Sequence, residues 1–342
     1  MNAIQTITLC GGGSLGHVCA GYLASRGEVN VNILTTKPEK WGRELLIDTP
    51  DGTTLTGRLG LVSSNPQAVI PQSQVVLLCL PGFAIHDELE KIAPMLTPGT
   101  YVGSVFCSTG FFFEALDLLP DNVALWGFQR VPFISRTTEY GHRATLKGYK
   151  NSHRIAIERS GEEDVFAEQI SRLFGAPVEI LENYYEASYS NSNPILHPAR
   201  IYSLLENWKE GDTFDHNILF YEEWTDRASE LLIAMDRELF EVLDRLPVTP
   251  GYLTPILEYY ESVDASSLTR KIRSIGGFKG IGSPMVETAV GWVPDFKSRY
   301  FVEDFPYGLR FIKEEADRQG VSTPVINEIY AWGMAMLKQY NS

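Results

Sequence analysis

The chain has 342 residues, 21% of them charged and 44% hydrophobic, with a formal net charge of minus 14. That length is long for one core and predicts two domains, and the composition is globular, which excludes a disordered chain. The acidity argues against nucleic acid or an anionic membrane surface as partner, and no run of about 20 apolar residues offers a membrane span.

Residues 4–17 form an apolar run that breaks into Gly11, Gly13 and Gly16 at the spacing G-x-G-x-x-G. A strand that enters a helix within a few residues needs Gly11 for the tight turn. Gly13 then lets the backbone approach a pyrophosphate, and Gly16 lets the helix pack on the strand. The first turn, with Ser14 and Leu15, would present free N–H groups to the diphosphate at the positive end of the helix dipole. Leu15, Val18, Cys19 and Tyr22 follow at helical spacing, and a second β-rich run spans Val29 to Thr35. This predicts a Rossmann-type dinucleotide domain. With no basic n-region or apolar h-region ahead of the first strand, a cytoplasmic protein is expected.

An acidic residue about 20 positions past the glycines would mark a cofactor without a 2′-phosphate. None stands there. The chain reads Leu34-Thr35-Thr36-Lys37-Pro38-Glu39-Lys40, in which Thr36 and Lys37 could hydrogen-bond and neutralise the extra phosphate, with Lys40 or Arg43 assisting. NADP is therefore preferred over NAD.

The first half continues with the rhythm of a doubly wound sheet. A hairpin is predicted over 47–55 around Asp51-Gly52. Strands are predicted over Val75–Leu80, Tyr101–Cys107, Val123–Phe128 and Arg154–Glu158, with helices between and after them. Strand ends line the ligand crevice in such sheets, so Leu80 and Pro81, with Ser108 and Thr109, are candidates to flank the cofactor. Cys10, Cys19, Cys79 and Cys107 sit in or beside apolar runs without a CxxC pair, which predicts buried free thiols and no metal site.

From about Tyr184 the chain reads as helices, with the 3.6 period over Phe220–Leu243, Tyr252–Tyr260, Phe311–Gly320 and Thr323–Tyr340. The expected architecture is an α/β N-terminal Rossmann-type doubly wound sheet plus an all-α C-terminal domain, divided as residues 1–184 and 185–342. Such layouts often close a substrate between their two parts. Asn193-Pro194-Ile195-Leu196-His197-Pro198 opens the helical half. Arg299-Tyr300-Phe301-Val302-Glu303-Asp304-Phe305-Pro306-Tyr307-Gly308-Leu309 comes far downstream.

These two segments resemble the opine dehydrogenases of the octopine and nopaline type, which carry N-P-x-x-H-P and R-Y-x-x-E-D-x-P-x-G-L motifs in that order. Leu80-Pro81-Gly82-Phe83-Ala84-Ile85-His86 and Phe220-Tyr221, ahead of Ala234-Met235-Asp236-Arg237-Glu238, fit the same pattern. The resemblance covers nearly the whole chain. It implies reductive condensation of an amino acid's amine with a 2-keto acid using NAD(P)H, with His197, Asp304 and Arg299 as the catalytic set. The side chains suit those roles. An imidazole can take a proton from the incoming ammonium, a carboxylate can orient the ring, and a planar guanidinium can hold a keto-acid carboxylate.

Duller roles stand beside these. Asp304 could cap the helix that Pro306 begins, and Glu303 could be the acid instead. Asn193 could cap the helix begun by Pro194, or hold the nicotinamide or substrate. Trp224 stands where the family commonly has glycine, and with Tyr202 and Trp208 it could wall the amino-acid pocket. The acidic stretch Glu206, Glu210, Asp212 and Asp215 hints at a cationic amino acid. The expected partners are small molecules, and a homodimer is left open. Two other functions compete: a 2-keto or hydroxy acid reductase of the ketopantoate reductase and hydroxyacid dehydrogenase type, and a non-catalytic nucleotide sensor. The first uses a lysine that residues 193–200 lack. The second would be expected to have lost the ionisable cluster.

Overall fold

The computed structural model describes residues 2–341, and the chain divides into two compact units, Met1–Ser190 and Asn191–Ser342. The first unit has strands β1 (Thr6–Cys10), β2 (Asn30–Leu34), β3 (Glu44–Asp48), β4 (Thr54–Arg58), β5 (Val62–Ser63) and β6 (Val75–Leu78). It continues with β7 (Tyr101–Ser104), β8 (Ala124–Phe128), β9 (Phe133–Glu139), β10 (Arg143–Tyr149), β11 (His153–Glu158) and β12 (Val178–Ile180). Its helices are α1 (Ser14–Ser25), α2 (Ile85–Ile92), α3 (Phe111–Leu118), α4 (Glu163–Phe174) and α5 (Tyr184–Ser188).

Eight strands form one sheet in the order β12-β11-β8-β7-β6-β1-β2-β5. From β5 to β8 every neighbouring pair is parallel, and β11 enters antiparallel to β8. Every residue of β6 is buried, as a strand covered on both faces requires. Taken in chain order, the six parallel strands follow the 3-2-1-4-5-6 pattern, whose direction reverses beside the central strand. That reversal falls at β1 and β6, so their carboxyl ends, at Gly11 and Leu80, border the crevice where ligands bind in such sheets.

A second sheet, β4-β3-β10-β9, lies on the other side of α1, which packs against β1 and β2 and also against β3, β4, β9 and β10. The hairpin around Asp51-Gly52 is present, but it belongs to this smaller sheet. The β9–β10 hairpin was not foreseen. Ile134 is 55% exposed, and most side chains of β9 are at least partly exposed, so the strand lacks the apolar face that betrays one. All four cysteines are buried free thiols, as expected.

The second unit has α6 (Asn193–Leu205), α7 (Asp226–Leu243), α8 (Ile256–Tyr259), α9 (Ala265–Ser274), α10 (Arg299–Val302), α11 (Arg310–Gln319) and α12 (Pro324–Tyr340). Among the described residues it is mainly helical, with a hairpin of β13 (Met285–Thr288) and β14 (Gly291–Pro294) and isolated bridges of Phe214 to Trp292 and Leu219 to Gly282. Two helical expectations move. The helix expected from Phe220 begins only at Asp226, where the Thr225 hydroxyl accepts the Ala228 N–H at 3.2 Å and ends the preceding turn. The one expected over 252–260 shrinks to α8, and α9, unforeseen, starts at a reciprocal capping box between Asp264 and Ser267.

Two carboxylates on α7 hold other helices by their ends. Glu238 accepts the Val325 and Ile326 N–H groups, each at 2.9 Å, at the start of α12, and Asp236 accepts Ile256 N–H at 3.0 Å. Burial raises the Asp236 carboxyl to about 6 from 3.8, partly countered by that N–H. Between those values the folded protein holds a proton the unfolded chain has released. Stability contributed by this group is therefore present below pH 4 and falls as pH rises to 6, by about 3 kcal/mol at most. In Asp236→Asn, urea unfolding compared with wild type at pH 4 and pH 7 is expected to show the variant gaining relative stability as pH rises. A difference that stays constant with pH would sink that assignment.

Candidate active site

Two constellations carry the chemistry, one in each unit. In the first, Gly11 follows β1 with φ +112°, and a Cβ there would lie 2.7 Å from the Cys79 carbonyl oxygen. A Cβ on Gly16 would lie 2.5 Å from the Gly11 carbonyl oxygen, so α1 can approach the turn only with glycine at that position. At Gly13 nothing lies within 4 Å of a Cβ, and no side chain caps α1. The turn therefore leaves open space beside unspent helix N–H groups, which fits the diphosphate of a dinucleotide. Leu15 and Leu80 are half-buried, and Pro81 is exposed at the end of β6.

Other expected contacts differ in detail. The Ser14 hydroxyl is engaged within the protein, lying 3.1 Å from Thr137 Oγ1 and accepting Thr137 N–H at 2.9 Å. Thr35 is buried, whereas Thr36, Lys37, Lys40 and Arg43 are exposed past the end of β2. Thr109 donates to the Phe106 carbonyl at 2.8 Å.

The unforeseen hairpin brings in Tyr140 and closes on His17 of α1, two residues that sequence reasoning missed. Tyr140 places its hydroxyl 3.5 Å from Thr35 Oγ1 and close over Gly12. His17, fully buried, accepts Gly141 N–H on Nε2 at 2.7 Å and bonds Gly13 O through Nδ1 at 2.9 Å. Those partners require the neutral Nδ1–H tautomer, and burial lowers the imidazole pKa in the same sense. Its ring stacks on Trp41 at 4.3 Å. A Tyr-Gly turn, with Gly141 at φ +77°, was the available signal for this hairpin.

In the second unit α6 carries Pro194 in its first turn and Pro198 inside it, and between them His197 is 8% exposed. Its Nδ1 lies 2.8 Å from Asp304 Oδ2, and its Nε2 lies 3.1 Å from the Tyr221 hydroxyl. Asp304 precedes a π-helical turn, Phe305–Leu309, yet its side chain makes no cap there. The carboxylate is spent on the imidazole, and between the two adjacent acids it is Asp304, not Glu303, that reaches the ring. Gly308 in that turn packs on Pro194, which helps hold Asp304 to α6.

Arg299 starts α10, is exposed, and makes no ion pair among the described residues. Next to it, Tyr300 meets His197 edge-on at 4.7 Å, and burial, followed by the Asp304 charge, raises its phenol, countered in part by Arg299. Asn193, half-buried, opens α6.

The expected aromatic wall does not form. Tyr202 donates to Glu328 at 2.6 Å, which with burial pushes its phenol to about 12, and it packs on Trp332. Trp208 lies against Phe296 and Tyr340. Trp224 is fully buried, donates to Ser229 at 2.9 Å, and lies parallel to the Tyr221 ring at 6.3 Å, so it backs that tyrosine and offers no surface to a ligand. Of the acidic stretch, Glu206 is taken by Arg227 at 3.0 Å and Asp212 accepts Lys209 N–H at 2.9 Å.

Tyr221, quoted in the sequence pattern with Phe220, was given no role there. It sits in an irregular segment held by two guanidinium groups: Arg200, 1% exposed, donates to the Phe220 and Glu223 carbonyls, and Arg273 donates to that of Trp224. Among the described residues no group of three metal-ligating side chains converges, and no helix is long and apolar enough to cross a membrane.

Residues 180–337 match the family model of the NAD/NADP octopine/nopaline dehydrogenase α-helical domain. The chain is 27% identical to the opine dehydrogenase of Haliotis discus hannai, over 96% of its own length and 89% of the relative's. Its fold is similar to octopine dehydrogenase in complex with NADH and L-arginine, with a TM-score of 0.85, 24% identity and coverage of 98% and 90%. It is also similar in fold to yersinopine dehydrogenase with NADP+ bound, with a TM-score of 0.72, 14% identity and coverage of 98% and 91%. The chain thus carries the α-helical domain of the octopine/nopaline dehydrogenases and is an opine dehydrogenase-like NAD(P)-dependent oxidoreductase.

Proposed function

We propose that the protein condenses an amino acid's α-amine with a 2-keto acid and reduces the resulting imine, with NADPH preferred over NADH. The observation that carries this is the 2.8 Å pairing of His197 with Asp304, an acid–base group with its own orienting carboxylate. Reduced nicotinamide supplies hydride when bound. The remaining work belongs to this chain. The ammonium must lose a proton before nitrogen can attack the keto carbon, and the carbinolamine needs one returned so that water can leave; the imidazole serves both directions. Asp304 fixes the tautomer and stabilises the imidazolium. The exposed guanidinium of Arg299, without an ion pair among the described residues, suits a keto-acid carboxylate, and Asn193 opens the same helix as the histidine.

The cofactor preference rests on the end of β2, where Thr36 and Lys37 are exposed at the positions that follow the strand and the nearest carboxylate, Glu39, comes only after them, flanked by Lys37 and Lys40. Oxidation of NADPH and NADH is to be followed across a grid of amino acids with pyruvate, glyoxylate or 2-oxoglutarate, including controls without amine. Amine-dependent oxidation, faster with NADPH at limiting cofactor, is expected. Oxidation indifferent to the amine would return the protein to the 2-keto acid reductases, and a faster NADH reaction would reverse the cofactor assignment.

A further inference from the structure

We propose that Tyr221 is the group through which His197 exchanges protons with substrate, so that Asp304, His197 and Tyr221 form one relay; this rests on the amine chemistry proposed above. An imidazole offers one in-plane proton site on each ring nitrogen. Both are occupied here, Nδ1 by Asp304 at 2.8 Å and Nε2 by the Tyr221 hydroxyl at 3.1 Å. A substrate nitrogen therefore reaches neither ring nitrogen while Tyr221 stands where it does. With the carboxylate accepting from Nδ1–H, Nε2 holds a lone pair, and the phenol donates to it.

Burial, and after it the proximity of Tyr300, Tyr260 and Asp304, raises the Tyr221 phenol well above its usual value. A free phenolate is disfavoured in that setting, so the hydroxyl gives up its proton only as it gains another. The step balances. An ammonium N–H bond breaks and its proton joins Tyr221 Oη, while the phenolic O–H bond breaks and that proton joins His197 Nε2. The amine keeps its electron pair, the phenol is neutral again, and the imidazolium faces the Asp304 carboxylate. In carbinolamine dehydration the transfers reverse: the phenol protonates the departing hydroxyl, which leaves as water, and the imidazolium restores the phenol.

The ring is seated independently of its hydroxyl. It stacks on Phe278 at 4.1 Å and meets Phe220 edge-on at 4.8 Å, so phenylalanine at this position keeps the packing and removes only the oxygen. The test compares wild type with Tyr221→Phe in the amine-dependent assay and in mixtures of light and heavy water. Expected are a kcat lower by roughly 10²-fold, a curved dependence on deuterium fraction in wild type that becomes linear in the variant, and an unchanged thermal midpoint. Wild-type kcat in the variant would overturn the relay, as would a lower kcat with the curvature retained, which would leave Tyr221 a merely structural support. Amine-independent oxidation by wild type would overturn the underlying reaction and the relay with it, and it is read before any variant is compared.

Discussion

His197→Asn lowers kcat for amine-dependent reduction by roughly 10²- to 10⁴-fold, the range spanned by the loss of a positioned acid–base group. Dinucleotide affinity, read by quenching of protein fluorescence, stays close to wild type, because the open phosphate-binding turn belongs to the other unit. The asparagine keeps a polar group beside Asp304 and Tyr221 but offers no nitrogen that can take up and return a proton. Its effect therefore isolates proton transfer from packing. Activity equal to wild type would remove His197 from the chemistry, and a matching loss of cofactor affinity would mark the substitution as a disturbance of folding.

Trp224→Ala destabilises the protein by roughly 3 to 5 kcal/mol, the usual cost of deleting a fully buried tryptophan. The indole has no solvent exposure, spends its N–H on Ser229, and lies under the Arg200 guanidinium at 5.9 Å. A residue lining the amino-acid pocket would behave otherwise, shifting KM or specificity while leaving the urea midpoint in place. The measurement thus separates core from pocket at Trp224. Because Trp224 lies parallel to Tyr221, its loss should also lower kcat in whatever fraction remains folded.

The features legible in the sequence were those with local causes. Gly11, Gly13 and Gly16 could be read from spacing because each answers a demand set within a few residues: a positive φ, an open approach, a close helix contact. The pairing of His197 with Asp304, 107 positions apart, was legible only because both lie in motifs recognised together. Features with distant causes were not. Tyr221 is placed by a turn whose carbonyls are held by Arg200 and Arg273, neither of which is a neighbour in sequence. Tyr202 was grouped with the site by composition, yet five residues past His197 on one helix it points roughly 140° away, toward α12. The β9–β10 hairpin was hidden for a third reason: a small outer sheet with much of its surface in water does not need a continuous apolar face.

That hairpin changes what nucleotide binding costs. Through His17, which holds Gly13 on one ring nitrogen and Gly141 on the other, the loop proposed to take the diphosphate is braced as part of the native core. The conformational entropy of a glycine-rich loop is then surrendered once, when the chain folds. A dinucleotide arriving afterwards meets a preorganised cradle and loses little of its binding free energy to rigidifying the protein.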